Sequence, residues 1–244
     1  MGQLMYYRVE DKYIIYEDQI AYLKSCLEKV MQKDKNGSDE GYLIRSVYFD
    51  DMNNSALMEN EGGFDLRSKF RIRSYDRDDS FIRLEEKSKR NGYTHKEMAR
   101  IQKETVKELI KDSTSVYNAP RCAAVLLKED SFLTKKLYCN MNSVLLHPVS
   151  IVEYERLAYT ERGGNVRITF DMNIGASSNV ERFFEGDIWS VPVLEKGAHV
   201  LEVKYDEFLP DYIRKIIDTG SLQKTAFSKY TLSRNIKNQI GEYL

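Results

Sequence analysis

The sequence predicts an α+β fold in which eight antiparallel strands close into a β-barrel and helices pack outside it. Three observations lead there. Stretches that alternate with period two recur along the chain, helical periodicity is confined to the segments between them, and the charged residues sort onto one face of each alternating stretch. The clearest case is Lys69-Phe70-Arg71-Ile72-Arg73-Ser74-Tyr75, followed by Ile82-Arg83-Leu84-Glu85-Glu86-Lys87-Ser88-Lys89. Lys69, Arg71 and Arg73 share one face of the first stretch, and Arg83, Glu85, Lys87 and Lys89 share one face of the second. A turn at Asp76-Arg77-Asp78-Asp79 would make them an antiparallel hairpin with two ionic rows side by side.

The remaining elements follow in order. A strand over residues 6–16 carries Arg8, Glu10 and Lys12 on one face. A helix over 17–35 has Ile20, Leu23, Leu27, Val30 and Met31 as its apolar stripe, and Asn36-Gly37-Ser38-Asp39 ends it. Residues 42–50 read as a strand and 55–60 as a short helical turn, with Glu61-Gly62-Gly63 punctuating the chain before the hairpin. Residues 93–100 add a short strand carrying Lys96. The stretch 103–146 is helical in pattern, with Val106, Leu109 and Ile110 in one stripe and Val125, Leu126, Phe132, Leu133 and Leu137 in others. A hairpin of 150–159 and 165–173 then turns at Gly163-Gly164, with Tyr154 and Arg156 on one arm and Arg167, Thr169 and Asp171 on the other. Strand-like pieces at 191–194 and 199–206 follow, the second carrying Glu202 and Lys204. Helices over 210–218 and 228–238 close the sequence. No internal repeat or linker marks a boundary, so residues 1–244 read as a single domain.

Composition narrows the class. The chain has 37 Lys+Arg against 38 Asp+Glu, a net charge of −1, which argues against a protein that coats nucleic acid. No apolar run reaches the roughly 18 residues that cross a bilayer, and the first residues lack a signal-peptide core. Tyr6 stands where a myristoylation signal wants Ser or Thr. Cys26, Cys122 and Cys139 sit singly in helical stretches, giving neither a disulfide framework nor a zinc spacing and suiting a cytoplasmic location. Gly220-Ser221-Leu222-Gln223-Lys224-Thr225 ends like a P-loop but lacks its second glycine and a preceding strand. His95, His147 and His199 are scattered.

A row of bases on the wet face of one hairpin would be ordinary. Its recurrence on six strands of a chain with no net basic charge is not, because like charges on paired strands repel. With helices covering the apolar faces, the basic faces would turn inward, and Arg71, Arg73, Lys87, Arg156 and Arg167 would meet in one enclosed cavity. Cations held there need an anion of high charge density, and a chain of phosphates matches best: Arg binds it in a fork, Lys as a point charge. The interleaved carboxylates suit a divalent metal that takes carboxylate and phosphate oxygens together.

These residues also carry a family resemblance. Ile44-Arg45-Ser46-Val47-Tyr48-Phe49-Asp50-Asp51, Lys69-Phe70-Arg71-Ile72-Arg73, Leu84-Glu85-Glu86-Lys87, Asn165-Val166-Arg167-Ile168-Thr169-Phe170-Asp171, Leu201-Glu202-Val203-Lys204-Tyr205-Asp206-Glu207-Phe208-Leu209-Pro210 and Thr225-Ala226-Phe227-Ser228-Lys229-Tyr230 resemble the VTC domain, the polyphosphate polymerase domain of the triphosphate tunnel metalloenzyme (CYTH-like) superfamily. The resemblance runs from Arg8 to Tyr230. It implies an eight-stranded tunnel that binds triphosphate and polyphosphate with Mn²⁺ or Mg²⁺. The phosphate-holding bases fall on Lys12, Arg71, Arg73, Lys87, Lys96, Arg156, Arg167 and Lys229, with Tyr154 and Ser228 as hydroxyl contacts. The metal-binding glutamate falls on Glu202; Glu10 and Lys204, on the same faces, are added as a second metal carboxylate and a further phosphate contact.

The activity implied is transfer of the γ-phosphate of ATP or another nucleoside triphosphate to a polyphosphate chain, resting on Arg71, Arg73, Lys87 and Glu202. Hydrolysis of the same ligands and non-catalytic sensing of polyphosphate or inositol polyphosphate are the alternatives. One position departs from the family pattern: Ala226 stands where the eukaryotic polymerase subunits carry lysine, with Lys224 as a potential substitute. The membrane-spanning segments of those subunits are absent from the sequence, so coupling to transport would need a separate membrane partner.

Overall fold

The computed structural model describes residues 8–35, 38, 40–76, 78–112, 115–218, 220 and 222–241, with side chains to residue 235. Expectations that fall on Tyr6, Asn36, Gly37, Asp39, Arg77 and Ser221 lie outside the described residues. In chain order the elements begin with β1 (Arg8–Tyr16), α1 (Glu17–Leu27), β2 (Gln32–Lys33), β3 (Tyr42–Asp50) and α2 (Ser55–Glu61). The meander β4 (Arg67–Tyr75), β5 (Asp78–Arg90) and β6 (Tyr93–Ile101) leads into helices α3 (Lys103–Ile110), α4 (Ala119–Ala123) and α5 (Phe132–Ser143). Then come β7 (His147–Glu161), β8 (Val166–Ser177), β9 (Val191–Pro192), β10 (Ala198–Asp206), α6 (Asp211–Ile217) and α7 (Lys229–Gly241). No helix among the described residues is long and apolar enough to cross a membrane.

Hydrogen-bonded neighbours follow the order β1-β10-β8-β7-β3-β4-β5-β6, with the short β2 and β9 attached to β7 and β8. Every pairing whose register is resolved is antiparallel. The fold is therefore α+β as the sequence predicts, but the sheet is open, with β1 and β6 at its ends, and the expected closed barrel does not form among the described residues. Each end has its own chemistry. The outer edge of β1 is taken by the 222–227 segment, which bridges Tyr13 to Lys224 and donates the Thr225 N–H to the Lys12 carbonyl at 2.8 Å. β6 has the marks of a protected edge, exposed over most of its length and carrying Lys96 and Arg100, charges that discourage further pairing.

The chain packs as two compact units. Unit 1 takes residues up to 43, 154–174 and 194–227, and unit 2 takes 44–153, 175–193 and residues from 228 onward. Each has its own core. In unit 1, Ile168 and Phe170 of β8 and Leu201 and Val203 of β10 pack with Ile20, Leu23 and Leu27 of α1 and Ile213 and Ile217 of α6. In unit 2, Phe70, Ile72, Ile82 and Leu84 of the β4–β5 hairpin pack with Val106 and Leu109 of α3 and Leu133 and Leu137 of α5. These strand residues are the apolar rows read from the alternation, so in both units the ionic rows face away from the helices.

Two local expectations are corrected. The first helix stops at Leu27 rather than near 35, because Gln32 and Lys33 leave it to pair with Thr160 and Tyr159 as β2; Val30, assigned to the stripe, is exposed. Phe132, assigned to a buried stripe, is 76% exposed because it is the first residue of α5, before the stripe of Leu133 and Leu137 begins. The cysteines lie in α1, α4 and α5 as expected, and all three are thiols. The β5–β6 turn, at Asn91-Gly92, has positive φ at both residues, 53° and 78°, the conformation that twists a two-residue hairpin correctly.

Candidate functional site

Unit 1 gathers Glu10, Lys12, Tyr154, Arg156, Arg167, Glu202 and Lys204. Register places them: Lys12 stands opposite Glu202 and Glu10 opposite Lys204 across β1 and β10, while Glu202 faces Thr169 and Lys204 faces Arg167 across β10 and β8. Glu202 is the hub. Its carboxylate lies 3.0 Å from the Lys204 ammonium, 3.6 Å from the Arg156 guanidinium and 4.0 Å from the Lys12 ammonium. Lys12 also meets Glu10 at 3.1 Å and donates to the Phe227 carbonyl at 3.0 Å, and Lys204 reaches Glu10 at 3.7 Å.

Arg156 is held in a fork. Its Nε and Nη2 donate to the two oxygens of Asp171 at 2.6 and 2.7 Å, and Asp171 is fully buried. Burial alone would lower the affinity of this guanidinium for its proton, but Asp171, then Tyr154 and Glu202, raise it well above the ordinary arginine value. The Arg156 guanidinium lies 5.3 Å from the centre of the Tyr154 ring. Gly41, at φ +102°, lets the backbone pass so close to β7 that a Cβ there would come within 2.5 Å of the Arg156 carbonyl oxygen. Arg167 is tied elsewhere in the unit, 2.5 Å from Asp34 and donating to the Tyr42 hydroxyl at 3.1 Å.

Unit 2 gathers Arg71, Arg73, Lys87, Lys96, Ser228 and Lys229. Here the hub is Glu85, 1% exposed and directly opposite Arg71 in the β4–β5 register. It accepts from Arg71 Nε at 2.6 Å and Lys96 Nζ at 2.9 Å, with the Arg73 guanidinium 4.0 Å away. Burial by itself would push the Glu85 carboxyl up; Arg71, Arg73 and Lys96 overcome that and hold it well below the usual carboxylate range. Lys96 shows the opposite balance. Desolvation outweighs the pull of Glu85, Arg71 adds repulsion, and its ammonium is brought down to about 8. Lys87 stands between Lys69 and Lys96 in register, so three lysines line up across β4, β5 and β6.

Ser228 and Lys229 open α7, with the Ser228 hydroxyl accepting from the Thr231 N–H at 3.3 Å. The helix is fastened by the residues that follow. Tyr230 stacks on Tyr48 with ring centres 5.2 Å apart and donates to the buried Asp50, Asn60 donates to the Thr231 hydroxyl at 2.6 Å, and Arg234 bonds Asn54. Asp50 in turn accepts from the Ala56 and Leu57 N–H groups in the first turn of α2, while Asp51 accepts from the Ser55 N–H.

Tyr48, Glu85 as a hub and the Asp171 fork were not singled out by sequence reasoning. Tyr48 is 3% exposed, lies opposite Arg71 in register, and accepts from Arg71 Nη1 at 3.2 Å. Burial raises its hydroxyl, but Arg71, Arg73 and Lys69 together bring it down to about 8. Its place in the alternation of β3 was the available signal, masked by the near-complete burial of both faces of that strand. Lys224, the potential substitute for the lysine missing at 226, bonds Asp11 at 2.8 Å, and Asp11 alternates with Glu10 and Lys12 along β1.

Among the described residues no group of three or more His, Cys, Asp or Glu side chains can cage a metal. Mg²⁺-type ions do not require a cage; they take one or two carboxylates and complete their shell with phosphate oxygens and water. Glu202 and Glu10 fit that demand. Two hard carboxylates share Lys12 and Lys204, whose ammonium groups occupy the positive position between them.

Comparison with known proteins agrees with the motifs. The family model described as the VTC domain matches residues 7–236. No curated protein matches the chain in sequence. Among solved structures it is similar in fold to the Hippeastrum protein HpAC1, named an adenylyl cyclase and described as having a dominant triphosphatase activity, with TM-score 0.57 and 12% identity over 95% of this chain and 96% of that one. A Bacillus halodurans protein named as an adenylate cyclase aligns at TM-score 0.47 and 13% identity, over 91% and 93% of the two chains.

Proposed function

Because the chain belongs to the VTC domain family, we propose that it is a metal-dependent phosphotransferase that moves the γ-phosphate of a nucleoside triphosphate, ATP foremost, onto a growing polyphosphate chain. The observation that carries this reading is the crowding of Lys204, Arg156 and Lys12 onto the one carboxylate of Glu202. Glu10 and Asp171 also partner these bases. The convergence of the three on one carboxylate still leaves a cluster of fixed cations that a row of phosphates can engage together, in forks from Arg and as point charges from Lys. Nucleic acid is a poor rival for this site in a chain whose net charge is −1.

The residues divide the work by chemistry. In unit 1, Arg156, fixed by Asp171, with Lys12, Lys204 and Arg167 binds and aligns phosphate oxygens, Tyr154 being a further contact; in unit 2, Lys96 does so, with Ser228 and Lys229 as further contacts. Arg71, Arg73 and Lys87 neutralise charge that develops on the transferred group, the largest lever in phosphoryl transfer because no protein nucleophile is required. Glu202 with Glu10 would hold Mn²⁺ or Mg²⁺, which supplies charge neutralisation on the phosphates when bound. The three thiols suit a reducing cytoplasm, and a separate membrane partner would supply any coupling to transport.

Incubation with ATP and Mn²⁺, followed by gel electrophoresis and phosphate release, tests the reading. Long polyphosphate is the expected product. Orthophosphate alone would make water the acceptor and the protein a triphosphatase, and tight binding without turnover would make it a sensor.

A further inference from the structure

Within unit 1, the Thr169 hydroxyl has no hydrogen-bond partner among the described residues, although the residue is only 3% exposed. A buried hydroxyl left unpaired is costly and uncommon, so it calls for an explanation. Its position offers one. Ile168 and Phe170 lie in the core, which places Thr169 on the ionic face of β8 with Arg167 and Asp171, directly opposite Glu202 in the β8–β10 register. Opposed residues on one face bring their side chains within contact range. In the present arrangement Glu202 is drawn to Lys204, Arg156 and Lys12.

We infer that Thr169 is a positioning residue for Glu202, donating its hydroxyl hydrogen to that carboxylate once a divalent cation and phosphates have drawn the bases away. This rests on the proposed reading of Glu202 as the cation-holding carboxylate and adds the donor that orients it. Carboxylates that ligate metals are themselves hydrogen-bonded, and removing such a partner typically weakens metal affinity about 10- to 100-fold. The unpaired hydroxyl is then the stability cost of a donor kept ready for the loaded state.

The test uses the whole chain and adenylyl imidodiphosphate, a non-transferable nucleotide, with affinity measured by calorimetry in EDTA and in Mn²⁺. The readout is the gain in affinity that Mn²⁺ confers. Thr169→Val keeps the shape and removes the hydroxyl; it should cut that gain about 10-fold, leave the affinity in EDTA unchanged, and raise the melting temperature of the ligand-free protein by about 2–4 °C. Thr169→Ser should keep the gain and Thr169→Ala should lose it, a pair that isolates the hydroxyl. A higher melting temperature in Thr169→Val with an undiminished gain would make the hydroxyl an idle defect and overturn the inference. Equal weakening in EDTA and Mn²⁺ would make Thr169 a direct phosphate contact and overturn it too. Glu202→Gln separates the two levels: loss of the gain there, with Thr169→Val unaffected, sinks the inference alone, whereas a gain intact in Glu202→Gln sinks the reading of Glu202 and the inference with it.

Discussion

Glu85→Gln should unfold unit 2 more readily and make the protein more responsive to polyanions. The side chain is almost wholly buried and faces three bases, Arg71 at 2.5 Å, Lys96 at 2.9 Å and Arg73 at 4.0 Å. Removing one partner of a buried ion pair costs about 3–5 kcal/mol, because the other charge stays behind unpaired. Lys96 keeps 39% of its side-chain exposure, so its share falls toward the small value of a surface pair. The glutamine oxygen still accepts one bond. A net loss of about 3 kcal/mol follows, or a drop of about 6–12 °C in melting temperature for a chain of this size.

The pH dependence has a definite sign. The folded-state pKa of Glu85 is depressed below the ordinary 4.5, so its contribution is complete above that value and is lost as pH falls through the folded pKa. The gap between wild type and Glu85→Gln should therefore be full at pH 7 and shrink only on acidification below about 4.5. Differential scanning calorimetry across this range, with and without tripolyphosphate, measures both effects. A mutant as stable as wild type at pH 7, or a gap that widens on acidification, would refute the assignment of Glu85 as the counter-charge.

Other outcomes follow from the same geometry. Tyr48, with its hydroxyl near 8 against an ordinary 10, should appear as a tyrosine absorbance change near pH 8 that Tyr48→Phe removes and Arg71→Ala moves upward. Because that pKa is depressed, wild type should gain about 2–3 kcal/mol over Tyr48→Phe as pH rises from 8 to 10, readable in denaturant melts. Arg45, 2% exposed and bonded to Glu153 and to the carbonyls of Phe183, Glu185 and Gly186, should cost about 3–5 kcal/mol as Arg45→Met. Hydrogen exchange should then rise first around residues 183–186. Tripolyphosphate at 100 times its Kd should stabilise the protein by about 2.7 kcal/mol, pyrophosphate less and orthophosphate least at equal concentration and ionic strength. Equal shifts from all three would reduce the clusters to generic anion sites.

The strands were legible because alternation is a short-range signal: Lys69, Arg71 and Arg73 had to share a face once Phe70 and Ile72 were buried. The same logic located Glu202 and Lys204. What it could not show is how far each acid reaches. Glu85 reads as one charge among several, yet burial and register make it the partner of bases on both neighbouring strands, β4 and β6. The end of α1 was misplaced because Met31 keeps the helical spacing while the adjacent Gln32 already pairs with Thr160, a long-range bond that no local pattern contains. The cover on the edge of β1 was illegible for a related reason: the segment that takes it is more than 200 positions downstream, as the Lys12–Phe227 bond shows with its separation of 215. The division into two units leaves no compositional mark, since it passes through β3, β7 and β8.

That interleaving governs how the polypeptide can be born. The chain changes unit after residues 43, 153, 174, 193 and 227, so unit 1 is complete only when residue 227 has been made and unit 2 draws on residues still further along. At about 5–20 residues per second, a ribosome needs on the order of 10–50 s to reach that point. Through this interval β1 waits for β10, nearly 200 positions later, with its apolar row uncovered and its edge unpaired. The β4–β5–β6 meander is different, for its pairings are local and can form within moments of emerging. The nascent chain should therefore carry a folded hairpin core and a dangling first strand, which makes residues 8–16 the natural target for a holdase during synthesis and the weak point for aggregation when synthesis outruns it.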